Sequence, residues 1–151
     1  NVLIGCLAAV YTYSDPYDNV VLGASFVTRT VNEAGTLLYA QTGAENPATD
    51  LDLFVGRDLN GNTRPDADEE ICRSTSPTAV EVCLTMIDEP GRYWILLQNW
   101  RASETGAIDA VSLPVAAPTP SSGRSRGRWY PANSGAALCC PAPQTICPRW
   151  A

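Results

Sequence analysis

The sequence predicts an all-β fold, an antiparallel sandwich or barrel, and three observations carry that expectation. Short apolar or alternating runs, rich in Val, Thr, Tyr and Trp, are separated by Gly, Pro, Asn and Asp. Two of the runs alternate with a period of two, so one face points inward and the other outward. No stretch carries a sustained helical stripe with caps at both ends. Many short strands joined by turns pack as two antiparallel layers or close on themselves.

Residues 2–13 are apolar, yet they lack a basic leading segment and are too short to cross a bilayer, so they read as a strand. The chain opens on Asn1 instead of methionine, which reads as a processed chain or a fragment. In the run 24–31, Phe26, Thr28 and Thr30 alternate with Val27, Arg29 and Val31. Gly35 and Gly43 mark turns on either side of the run 36–41. The runs 52–56 and 70–73 flank an acidic loop. In the run 79–86, Glu81, Cys83 and Thr85 alternate with Val82, Leu84 and Met86. The turn Glu89-Pro90-Gly91 leads into 92–100, where Tyr93 to Leu97 are apolar on both faces, as a central strand requires. A last strand is expected over 107–115. These runs define one sandwich domain over residues 1–115.

The composition changes near Pro114. Residues 116–151 are rich in Pro, Ala, Ser and Gly and carry Arg124, Arg126 and Arg128. They read as an irregular Pro/Ser/Gly-rich tail, in which Cys139, Cys140 and Cys147 offer a staple for a small loop.

Composition narrows the chemistry. There is no histidine and no lysine, and all ten basic residues are arginine. Ser-His-Asp and Cys-His catalysis, a His-ligated zinc and a Schiff-base lysine are therefore excluded. The net charge of −6 argues against general nucleic-acid binding. Six cysteines in 151 residues point to an oxidising compartment, and their spacing is not that of a zinc site.

The segment 50–70, DLDLFVGRDLNGNTRPDADEE, carries the clearest functional signal. Calcium takes six to eight oxygen ligands, which a short loop supplies from alternating positions. Counted from Asp58, oxygen side chains fall at positions one, three, five and nine: Asp58, Asn60, Asn62 and Asp66. Arg64 stands at position seven, which contributes a main-chain carbonyl, and Glu69 at position twelve, the place of a bidentate carboxylate. Position six, where such loops use glycine, is Thr63. The competing reading is an ordinary Asn/Asp turn between strands. The loop is polar, which disfavours acid–base catalysis by its carboxylates. Asp50 and Asp52, two residues apart on one strand face, read as solvent-facing aspartates, with extra metal ligands as the alternative. Trp94, inside an apolar run, reads as core, and Trp100 as the more exposed aromatic. Cys72 and Cys83 fall on successive strands that a disulfide would join, while Cys6 has no evident partner.

Taken in order, DLDLFV (50–55), the aspartate-rich loop, EIC and VEVCL around Cys72 and Cys83, and EPGRYWILLQNW (89–100) resemble the bacterial pre-peptidase C-terminal domain over roughly residues 24–115. That resemblance implies a jelly-roll-like β-sandwich, secretion, calcium in some members, and a non-catalytic helper role beside a secreted protease. The partner would be an upstream protease domain or an extracellular polymer. The alternative is a self-associating fibre or adhesin subunit, in which the apolar N-terminal run adds a strand to a neighbour's sheet edge. No membrane-spanning segment is expected, and the location is extracellular.

Overall fold

The computed structural model describes residues 2–8, 16–17, 23–42 and 48–113. The tail 116–151, with its arginines, three cysteines and Trp129, lies outside them, as do Gly43 and the end of the first predicted strand. Among the described residues eight strands are formed: β1 (Val2–Ala8), β2 (Ala24–Val31), β3 (Thr36–Gln41), β4 (Asp50–Arg57), β5 (Glu70–Ser74), β6 (Val82–Ile87), β7 (Gly91–Arg101) and β8 (Ile108–Leu113). One short 3-10 turn, Ala67–Glu69, precedes β5. Every strand pairing is antiparallel.

The strands make a sandwich. One layer is a four-stranded sheet in the order β2-β7-β4-β5, and the other is built from the ladders β1-β8 and β3-β6. The chain changes layer at each connection except β4 to β5, which places those two strands side by side with the acidic loop between them. Alternation decides which side chains meet between the layers. Leu51, Leu53 and Val55 of β4 and Tyr93, Ile95 and Leu97 of β7 point inward. They pack against Leu7, Leu38, Ala40, Cys83, Ile87 and Val111 of the opposing ladders. Each such aliphatic side chain contributes roughly 1.5–3 kcal/mol on burial. Cys72 on β5 and Cys83 on β6 are joined by a disulfide that ties the two layers at one edge.

The outer face of the four-stranded sheet is also covered. Ala24, Phe54, Trp94 and Leu96 form a second buried cluster, with Tyr17 and Phe26 packed on it. The Tyr17 ring meets Phe54 and Trp94 edge-on, with centroids 6.1 and 5.8 Å away. This cover corrects one expectation. Asp50 and Asp52 are not solvent-facing: they are only 4% and 9% exposed, because β4 is an interior strand whose outer face is overlain. Trp100, half-buried at the edge of the same face, is more exposed than Trp94, as expected. Trp94 is buried as expected, but in this outer cluster and not between the layers.

The N-terminal run lies in its own sandwich, with Val2 opposite Leu113 and Ala8 opposite Ile108. Among the described residues, no helix is long and apolar enough to cross a membrane.

Candidate metal centre

β4 and β5 hold the two ends of the loop 58–69, and their pairing runs from Leu53 opposite Ser74 to Gly56 opposite Glu70. Within the loop, polar side chains replace regular backbone pairing. Asn60 Oδ1 accepts from the Asn62 amide at 2.8 Å, and Asn62 Oδ1 accepts from the Arg64 amide at 2.7 Å. These bonds set successive tight turns. Asp66 Oδ2 gathers the side-chain amides of Asn60 and Asn62, each donating at 2.7 Å. Asn60, Asn62 and Asp66 thus belong to one hydrogen-bonded group, and Asp58 is tied to the loop separately, through the Thr63 amide.

Asp58 is the buried member. Its side chain is 1% exposed. Oδ2 accepts from the Thr63 amide and from Arg92 Nη1, both at 3.2 Å. Oδ1 is buried and has no hydrogen-bond partner. A carboxylate oxygen left so costs about 1–3 kcal/mol, and a cation bound there would offset that loss.

Position six of the loop adopts the backbone that its glycine would supply. Thr63 has φ +65°, the left-handed region, and Gly61 has φ +75°. A β-branched residue is rarely found there. The turn is thus kept despite the departure in sequence.

Glu69 sits elsewhere in the arrangement. It is buried, and Oε1 accepts from the amides of Leu59 and Asn60 at 2.8 and 3.1 Å. Oε2 accepts from the indole N–H of Trp94 at 3.1 Å. Both oxygens therefore tether the start of the loop to its end and to the sheet. Trp94 reaches Glu69 because Gly56 stands directly across from it on β4. A Cβ at residue 56 would lie 1.9 Å from the Trp94 ring. Glycine inside a strand marks such a close approach, and this was the one available signal for the Gly56–Trp94–Glu69 relay. Arg92, the counter-ion of Asp58, carries no comparable signal, since its role depends on strand register.

Two carboxylates, two side-chain amides and a main-chain carbonyl are hard oxygen donors, the chemistry that calcium prefers. Together with the orphaned Asp58 oxygen, they fit a hard cation. Asp58, Asn60, Asn62 and Asp66 would hold it with the Arg64 carbonyl, and water would complete its shell. The amides would then turn their oxygens from the main chain toward the ion. Among the described residues no group of three or more His, Cys, Asp or Glu side chains converges as a ligand set, so the site depends on asparagine and main-chain oxygens.

The sequence matches no protein-family model, and no curated protein matches it significantly.

Proposed function

We propose that this chain is a non-catalytic, calcium-binding β-sandwich module of an extracellular protein, accessory to a secreted hydrolase. The observation that carries the calcium reading is the buried, unpartnered Asp58 oxygen inside a loop of hard donors. Calcium bound there would neutralise the loop and lock the β4–β5 connection. In that role the ion is structural. The disulfide between Cys72 and Cys83 supports an oxidising location. The accessory role rests on the resemblance to the pre-peptidase C-terminal domain, and it puts an upstream protease or an extracellular polymer in the place of partner.

Terbium titration tests the metal reading, because Trp94 touches Glu69 at the base of the loop and would sensitise a lanthanide bound above it. The expected result is saturable emission that calcium displaces and that Asp58→Asn removes. Emission that survives Asp58→Asn would place the ion elsewhere.

One observation favours a second reading, self-association. The solvent face of the β3-β6 ladder exposes Leu37, Val82, Leu84 and Met86, each between 44% and 57% accessible. The strand-donation route has less to work with, since β1 already pairs with β8. Sedimentation of the chain against a Leu84→Arg variant separates the readings. An association that the variant abolishes supports an assembling subunit, and a monomer at all concentrations removes it.

A further inference from the structure

We propose that the outer face of the four-stranded sheet carries a second binding site, for an organic cation of the guanidinium or alkylammonium class, held by Asp50 and Asp52. The inference goes beyond the calcium reading and shares no residue with it. A pocket of about 530 Å³ opens on this face, within the range of small-molecule and side-chain sites. Its floor is Asp50 and Asp52 of β4 with Gln98 and Trp100 of β7, and Tyr17 and Phe54 add aromatic wall.

The charge in the pocket is unbalanced. Both residues are more than nine-tenths buried, and neither carboxylate makes a hydrogen bond or ion pair with any described residue. Glu81 behind them adds negative potential. Arg73 lines the pocket, but its guanidinium is held by Glu70 through two 2.7 Å bonds and lies 5.5 Å from the centre of the Phe54 ring. Arg101 acts on Asp50 from a distance without pairing. Burial, and then the neighbouring Asp50 and Glu81 charges, push the Asp52 carboxyl up to about 6 against a partial attraction from Arg73.

Ligand chemistry follows from these facts. Two adjacent carboxylates accept the parallel N–H groups of a guanidinium or the donors of an ammonium. Aromatic walls favour the face and stem of such a cation. A neutral sugar would leave the charge uncompensated. A bare metal ion would lack the six or more oxygens it needs, since half of these six side chains, Tyr17, Phe54 and Trp100, are aromatic.

The test uses the full chain, kept above the pH at which Asp52 ionises. The probes are N-acetyl-arginine amide, a short peptide with an internal arginine, and N-acetyl-citrulline amide, the uncharged isostere. Tryptophan fluorescence and calorimetry read binding. Saturable binding of the arginine probes is expected, with citrulline weaker by about tenfold or more. Asp52→Asn lowers affinity by a similar factor, and so does Trp100→Ala, which leaves both carboxylates in place. A peptide that binds more tightly than the amide assigns the site to peptide-borne arginine, and equal affinities assign it to a small cation. No saturable binding, equal binding of citrulline, or an unchanged affinity in a folded Asp52→Asn variant would overturn the proposal. None of these outcomes bears on the loop at Asp58.

Discussion

Thr63 holds its backbone at φ +65°, where a β-branched side chain is strained by roughly 1–3 kcal/mol. Its amide donates to Asp58, so the strain is spent on holding the loop around the buried carboxylate. Thr63→Gly keeps that donor and removes the clash. It is expected to stabilise the fold by about 1 kcal/mol, read as a higher urea midpoint with an unchanged slope. Gly56 is the opposite case. Its φ is ordinary, but the Trp94 ring occupies the space that a side chain would need. Gly56→Ala must move the indole, break its bond to Glu69 and repack the outer cluster. A loss of about 3 kcal/mol or more is expected in the same denaturation measurement. At this scale the polar loop is legible, because its oxygen side chains stand at alternating positions in the sequence. It does not reveal that Glu69 is consumed by Leu59, Asn60 and Trp94, since that follows only once Trp94 is known to stand across from Gly56.

Strand identity is a local property, and the runs around Phe26, Leu38 and Ile95 are readable because one face alternates with the other. Strand ends are less so: β4 begins at Asp50 and β7 reaches Arg101, each longer than its apolar run. The burial of Asp50 and Asp52 was not legible at all. It depends on β4 being interior to the sheet and on Tyr17, more than thirty positions earlier in the chain, lying over the outer face. The pH dependence of stability belongs to this element. With its folded value raised from 3.8 to about 6, Asp52 binds a proton more readily folded than unfolded. Its contribution to stability therefore falls as pH rises across that window, and the full penalty, at most about 3 kcal/mol, is present above it. Asp50 and Glu81 enlarge the effect and Arg73 reduces it. Asp52→Asn is expected to raise the melting temperature above about pH 7 and to leave it nearly unchanged near pH 3, where the native carboxyl is also neutral.

The molecule as a whole is a sandwich that concentrates unusual chemistry on one side. The core between the layers is mostly aliphatic, with Tyr93 among it, and the disulfide ties its edge. The outer face of the four-stranded sheet, by contrast, carries an aromatic cluster, two buried carboxylates and, at its end, the acidic loop. Trp94 links these features: its ring fills the outer cluster and its N–H holds Glu69. A calcium ion in the loop would therefore be felt as cooperative stability of the sheet and not as a local change alone.

The central claim is that the loop at Asp58 is a calcium site built into the fold, and thermal unfolding of the full chain in calcium and in excess chelator tests it most directly. The midpoint of the native chain is expected to rise with calcium concentration, by about 2.7 kcal/mol of added stability at a hundredfold excess over the dissociation constant. Asp58→Asn, which removes the orphaned charge, is expected to melt at one temperature in both conditions. A native midpoint that calcium leaves unmoved, or an Asp58→Asn variant that calcium stabilises as much as the native chain, would contradict it.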